Sequence, residues 1–177
     1  MLSKTLTNYI DNLPERVSKK SVLARNLARE YEIFKNIDNT LLSDSASLDC
    51  LGNQFISERI LEKPGKLTNT EFMVIKLIPY LSYKIVEDED IDEDVKLMCL
   101  YYHEENPLVI ENISIPPITE MIQKRRCELY TIDSYIAMTS RRSYREAFSV
   151  KKAIEILQDN PNTSKDALAF IKQNYYF

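Results

Sequence analysis

Apolar residues recur along this chain at spacings of three and four, the period of a helix buried on one face, with no sustained alternation of the kind a strand needs. Leu2, Leu6 and Ile10 follow one another every fourth residue, so residues 1–14 read as a short helix or an ordered arm with one sticky face. Pro14 separates it from residues 15–34, where Val17, Val22, Leu23, Leu27, Tyr31 and Phe34 draw a helical stripe with basic residues between. A turn at 36–39 leads to a helix over 40–51, with Leu41, Leu42 and Leu48 inward and Gly52 closing it in a left-handed conformation. Residues 55–66 read as extended or looped and end on Pro64-Gly65, a strong turn signal. Thr68 and Glu71 make a capping-box pattern that starts the next helix, which carries Phe72, Ile75 and Ile78. Pro79 must kink or break that helix, because it has no amide proton to donate. Further helices are expected over 95–105, 118–139 (the longest), 150–157 and 165–174. Pro161 breaks between the last two, and Thr163 or Ser164 caps the last.

The expected fold is therefore all-α: one helical bundle of about seven to eight helices, with an N-terminal arm, a core over about 15–158 and a C-terminal helix over 163–177. A length of 177 residues suits a single domain with a real core. Two glycines against seven prolines fit helices joined by short loops.

Charge narrows the partners. The net charge is −4, whereas a protein that grips duplex nucleic acid is usually basic. Duplex nucleic acid is excluded as a bulk partner, but one basic pocket would suffice for a small anion. Residues 87–94, EDEDIDED, hold seven acids in eight positions. They lack the glycine turn and distal glutamate of an EF-hand, so they read as a solvated loop that feeds a helix N-terminus. Cys50, Cys99 and Cys127 are far apart and form no CxxC, so they are no disulfide or zinc framework, and Cys50 and Cys99 read as small core residues. The first residues carry no apolar signal core and no segment reaches membrane-spanning length, so a cytoplasmic protein off the membrane is expected.

Two stretches carry a family resemblance. Residues 131–147 read TIDSYIAMTSRRSYREA, and residues 60–68 read ILEKPGKLT. Together they resemble the HD-GYP family of bacterial HD phosphohydrolases, whose core carries H-D-I-G-K, then I-L-x-K-P-G-K-L-T, and ends near D-x-x-D-A-x-T-S-x-R-P-Y-R-x-A. The resemblance covers roughly 48–157. It implies the helical HD fold and a place in cyclic di-GMP signalling.

The family's chemistry uses divalent metals held by histidines and carboxylates, which activate water and neutralise phosphate. This chain has one histidine, His103. Where the family has H-D-I-G-K, it has Asp49-Cys50-Leu51-Gly52-Asn53. Ile78 replaces the histidine before Pro79, Tyr102-His103-Glu104 replaces H-H-E, and Ile136 replaces the second aspartate after Asp133. The family's N-terminal histidine has no counterpart in 16–30, and D-G-x-G-Y-P is missing from 106–117. The old pocket is either filled by side chains such as Tyr102, Ile78 and Ile136 or still open.

The resemblance thus points to a protein without cofactor or catalytic residues: an inactive regulatory or protein-interaction module in bacterial signalling. A rival reading is a metal-free sensor of a cyclic dinucleotide, with Arg142 and Arg145 forming a phosphate fork on one side of a helical turn. Pairing of these arginines with Glu146 or other surface acids is the plainer expectation. A third reading is a weak metal hydrolase using His103, Glu104 and Asp133. Against it, Asp133 should be paired, since a lone buried carboxylate is costly, and His103 should interact with a helix C-terminus. The lysines of the 63–66 turn are read as architectural. The apolar run Leu108, Val109 and Ile110, with the face of residues 1–10, suggests a homodimer contact.

Overall fold

In the computed structural model the protein is all-helical among the described residues, which are 4–105, 107–108, 114–142 and 145–175. The helices in chain order are α1 (Lys4–Asp11), α2 (Glu15–Phe34), α3 (Leu41–Leu48), α4 (Glu58–Leu61), α5 (Asn69–Ile75), α6 (Ile78–Val86), α7 (Glu93–Tyr101), α8 (Glu120–Thr139), α9 (Val150–Gln158) and α10 (Lys165–Tyr175). A 3-10 turn, Leu51–Phe55, follows α3. The ten segments exceed the expected seven to eight because the region read as extended or looped coils into the 3-10 turn and α4, and because Pro79 divides α5 from α6. The helix expected over 118–139 is α8, which shares the greatest length, 20 residues, with α2.

Local chemistry sets most boundaries. Thr68 Oγ1 accepts from the Glu71 amide, while the Glu71 carboxylate accepts from the Thr68 amide. Lys63 Nζ lies 2.6 Å from the same carboxylate, so this lysine of the 63–66 turn serves the cap. Gly65 turns with φ of 120°. Within the acidic run Asp92 caps α7, and Glu93 and Asp94 form its first turn. Ser164 Oγ accepts from the Ala167 amide at the start of α10.

One cluster of buried side chains runs from Leu6 to Ile171. α2 packs on α3 and α8; α7 packs on α3, α6 and α8; α9 and α10 cover α8. Leu6 is fully buried in this cluster, so the apolar face of α1 is used within the chain. Leu2 and the 109–110 pair lie outside the described residues, and Leu108 lines a cavity.

Two expectations need correction. On α2 the inward stripe is Val17, Ser21, Ala24, Leu27, Ala28 and Tyr31, while Val22, Leu23 and Phe34 are about half exposed. Small residues pack there because α3 lies close. Gly52 does not adopt a positive φ. Its role is close approach: a Cβ there would stand 2.3 Å from the Ile78 carbonyl oxygen, where α6 crosses the 3-10 turn.

Candidate functional site

The helices line a cavity of about 630 Å³ that opens to solvent. α2 contributes Arg16, Val17 and Lys20. The end of α3 and the 3-10 turn contribute Asp49, Cys50 and Asn53, and the 60–79 segment contributes Ile60, Phe72, Ile75 and Lys76. Tyr102, His103 and Glu104 follow α7, Tyr130 comes from α8, and Arg142 from the turn after α8. Tyr102 and Ile78 line the cavity without closing it, whereas Ile136 packs in the core.

Its floor is charged. The Lys20 ammonium lies 2.5 Å from Asp133 Oδ1, so Asp133 has the partner its burial demands. Burial alone would lower the lysine's pKa, but Asp133 and Asp49 together raise it, so Lys20 is an ammonium. Asp49 is 2% exposed. Burial, then the neighbouring Asp133 charge, push its carboxyl up to about 7, against the pull of Lys20, the Tyr102 hydroxyl and the Cys50 amide. The Cys50 thiol is pushed up to about 12, first by burial and then by Asp49, so it is a neutral thiol.

On the wall, the His103 ring stacks on Tyr102 with centroids 4.0 Å apart and meets Tyr130 edge-on at 6.1 Å. Burial lowers its pKa, favouring the neutral imidazole. His103 therefore does not act as a cation on a helix end; α7 already stops at Tyr101. Glu104 pairs with Lys76 at 2.8 Å. The three residues considered for a residual metal site are thus neighbours of one cavity floor and wall, but each carboxylate is engaged by a lysine. Among the described residues no three His, Cys, Asp or Glu side chains come together as a metal-binding group. Asp49, neutral Cys50 and a Lys-paired Asp133 are a poor donor set for a divalent ion.

The two arginines part company. Arg142 and Arg145 are joined by a backbone bridge, Arg142 N–H to Arg145 O at 2.8 Å and the reverse at 3.3 Å, so the turn is not helical. Arg142 lines the cavity, and its Nε donates to the Ala137 carbonyl at 3.5 Å. Arg145 does not line it. Its Nη2 donates to the Ala137 and Met138 carbonyls at 3.1 and 3.4 Å, where α8 ends, and its guanidinium lies 3.8 Å over the Phe148 ring. The two arginines do not form the phosphate fork of the rival reading, and Arg145 is held by carbonyls at the helix end rather than by a surface acid. Arg141 pairs with Glu146 at 3.2 Å. Ser143 and Tyr144 lie outside the described residues.

The sequence reading missed Arg16, Lys20 and Lys76. Arg16 donates to the Leu61 carbonyl at 3.0 Å and meets Glu62 at 2.7 Å. A signal existed: Arg16 and Lys20 are four apart and flank Val17 and Ser21, so they share the inward face of α2. Among the described lining residues, four Arg and Lys side chains stand against two carboxylates.

No family model matches the chain. Among curated proteins it is similar to the 3'3'-cGAMP-specific phosphodiesterase 3 of Vibrio cholerae, with 26% identity over 168 residues. The match covers 92% of this chain and 34% of that protein, so the chain spans about a third of the length of its relative. This likeness supports an HD-type phosphohydrolase relationship. No helix among the described residues is long and apolar enough to cross a membrane.

Proposed function

We propose that the chain is a non-catalytic HD-type module of bacterial signalling whose cavity receives a cyclic dinucleotide. The observation that carries the reading is the lysine in the cavity floor: Lys20 is ion-paired with Asp133 beside Asp49, in place of a set of ligands for a hydrolytic metal pair. The relative's substrate supplies the ligand class. The excess of cations in the lining and the aromatic rings of Phe72, Tyr102 and Tyr130 supply a surface for phosphates and bases. Arg142 is the residue assigned to phosphate, and Arg145 is assigned to the fold. A receptor that performs no reaction acts by changing what it touches, so a protein partner belongs to the same proposal.

Two assays test it. Incubation with 3'3'-cGAMP or cyclic di-GMP, with manganese or ferrous iron added, should yield no linear product; turnover that tracks enzyme concentration would overturn the reading. Calorimetry should show binding that Arg142→Ala weakens by about tenfold or more, the loss expected for one charge-assisted phosphate contact. Arg145→Ala should leave affinity nearly unchanged while lowering thermal stability. Equal affinity in Arg142→Ala and native protein would remove the cavity as the binding site.

A further inference from the structure

Asp49 and Asp133 pose a charge problem. They are 2% and 3% exposed, and the Asp133 charge opposes ionisation of Asp49. Two carboxylates so buried need a cation between them or must give up a charge. In hydrolases that cation is a metal. Here the Lys20 ammonium lies 2.5 Å from Asp133 Oδ1, and both carboxylates hold it in its charged form. That separation is within the span at which a hard divalent cation coordinates carboxylate oxygen, about 2.0–2.6 Å. An ion on the same oxygen would press against the ammonium sterically and electrostatically. The other groups around it give no help: Cys50 is a neutral thiol, Tyr102 a neutral phenol, His103 a neutral imidazole, and Arg142 adds a positive charge that opposes a second cation.

We infer that Lys20 is a tethered cation that bars divalent metal from this floor and, in the same contact, fastens α2 to α8. The chain carries its own counterion. The inference rests on the non-catalytic reading of the cavity, and its test does not use activity, so the two can fail separately.

The test is thermal unfolding of the native protein, Lys20→Met and Lys20→Met/Asp133→Asn, each in chelator and in millimolar manganese. The native Tm should be the same in both. Lys20→Met leaves the acids facing each other and should fall by about 10 °C, the usual consequence of stranding one partner of a buried pair in a chain of this size. Manganese should restore part of that loss, because the vacated space now suits a cation. The double variant presents a neutral pair and should recover most of the Tm in chelator, with no response to manganese. Should Lys20→Met not fold, recovery of folded protein in the double variant supports the inference. Failure of the double variant to fold assigns Lys20 a packing role and overturns it. A native Tm raised by manganese, or a Lys20→Met protein as stable as the native one, also overturns it. Manganese binding without turnover would sink the tethered cation alone, and turnover without a manganese response in Tm would sink the non-catalytic reading alone.

Discussion

Asp49 sets a pH dependence that ordinary carboxylates do not. Its carboxyl moves from 3.8 to about 7 on folding, chiefly through burial. Between those values the folded chain holds a proton that the unfolded chain has lost. The contribution of this group to stability is therefore complete below about pH 4 and declines as pH rises toward 7, by at most about 1.4 kcal/mol per pH unit. His103 works in the opposite sense. Its pKa is lowered by burial, so its contribution is lost as pH falls below the usual imidazole range. The raised pKa of Lys20 keeps its contribution intact until strongly alkaline pH. Urea midpoints between pH 5 and 8 for native and Asp49→Asn protein separate these terms, because the substitution removes only the first. The difference in stability, variant minus native, should grow with pH; a difference that stays flat means that Asp49 is ionised throughout. This site was only half legible in the sequence. Asp133, His103 and Glu104 stood in motifs and could be named. Lys20 left only its four-residue spacing from Arg16 as a signal, because a lysine on an amphipathic helix reads as solvated, and its neighbours Asp133 and Asp49 lie on α8 and just after α3.

At the scale of elements, the signals that read correctly are those confined to a few residues. The Thr68–Glu71 box, the break at Pro79, the acidic run at the start of α7 and the Gly65 turn all depend on neighbours within one turn of chain. Readings that depend on which helix comes to lie alongside went astray. Val22 and Leu23 fit a helical period as well as Ser21 and Ala24 do, and only the approach of α3 selects the smaller pair. Gly52 is the sharpest example. Its N–H donates to Ser82 Oγ at 2.8 Å, and that hydroxyl donates to the Asp49 carbonyl at 2.6 Å, so α6 is stitched onto the turn that carries the cavity floor. Gly52→Ala places a methyl 2.3 Å from backbone oxygen and 3.0 Å from Leu81 Cβ and Ser82 N. Backbone cannot swing aside as a side chain can. The expected cost is about 1–3 kcal/mol, the range for overpacking, and a drop of several degrees in Tm. Gly65→Ala meets no atom within 4 Å and bears only the strain of its φ of 120°. Differential scanning calorimetry should rank Gly52→Ala as the more damaging; the reverse order would mean that α6 yields at that crossing.

Over the whole molecule, two electrostatic effects compete for an anionic ligand. The net charge of −4 repels it from a distance, while the cation excess of the cavity attracts it at contact. Arg16 and Lys76 are paired with Glu62 and Glu104, but those carboxylates are 42% and 46% exposed, and solvent screens exposed pairs strongly. The cations thus keep much of their field toward the cavity. Salt decides between the two effects, because the Debye length shrinks from about 10 Å at 0.1 M to about 3 Å at 1 M. If distant repulsion dominated, added salt would strengthen binding. If the cavity cations dominate, as the lining implies, salt weakens it. The affinity for 3'3'-cGAMP or cyclic di-GMP is therefore expected to fall several-fold between about 0.05 and 0.5 M salt, over a range where counterions compete with protein cations for phosphate. The slope should be shallower in Arg142→Ala, which has one phosphate contact fewer. Calorimetry across a salt series measures both, and affinity that rises with salt would mean that the distant repulsion outweighs the cavity cations.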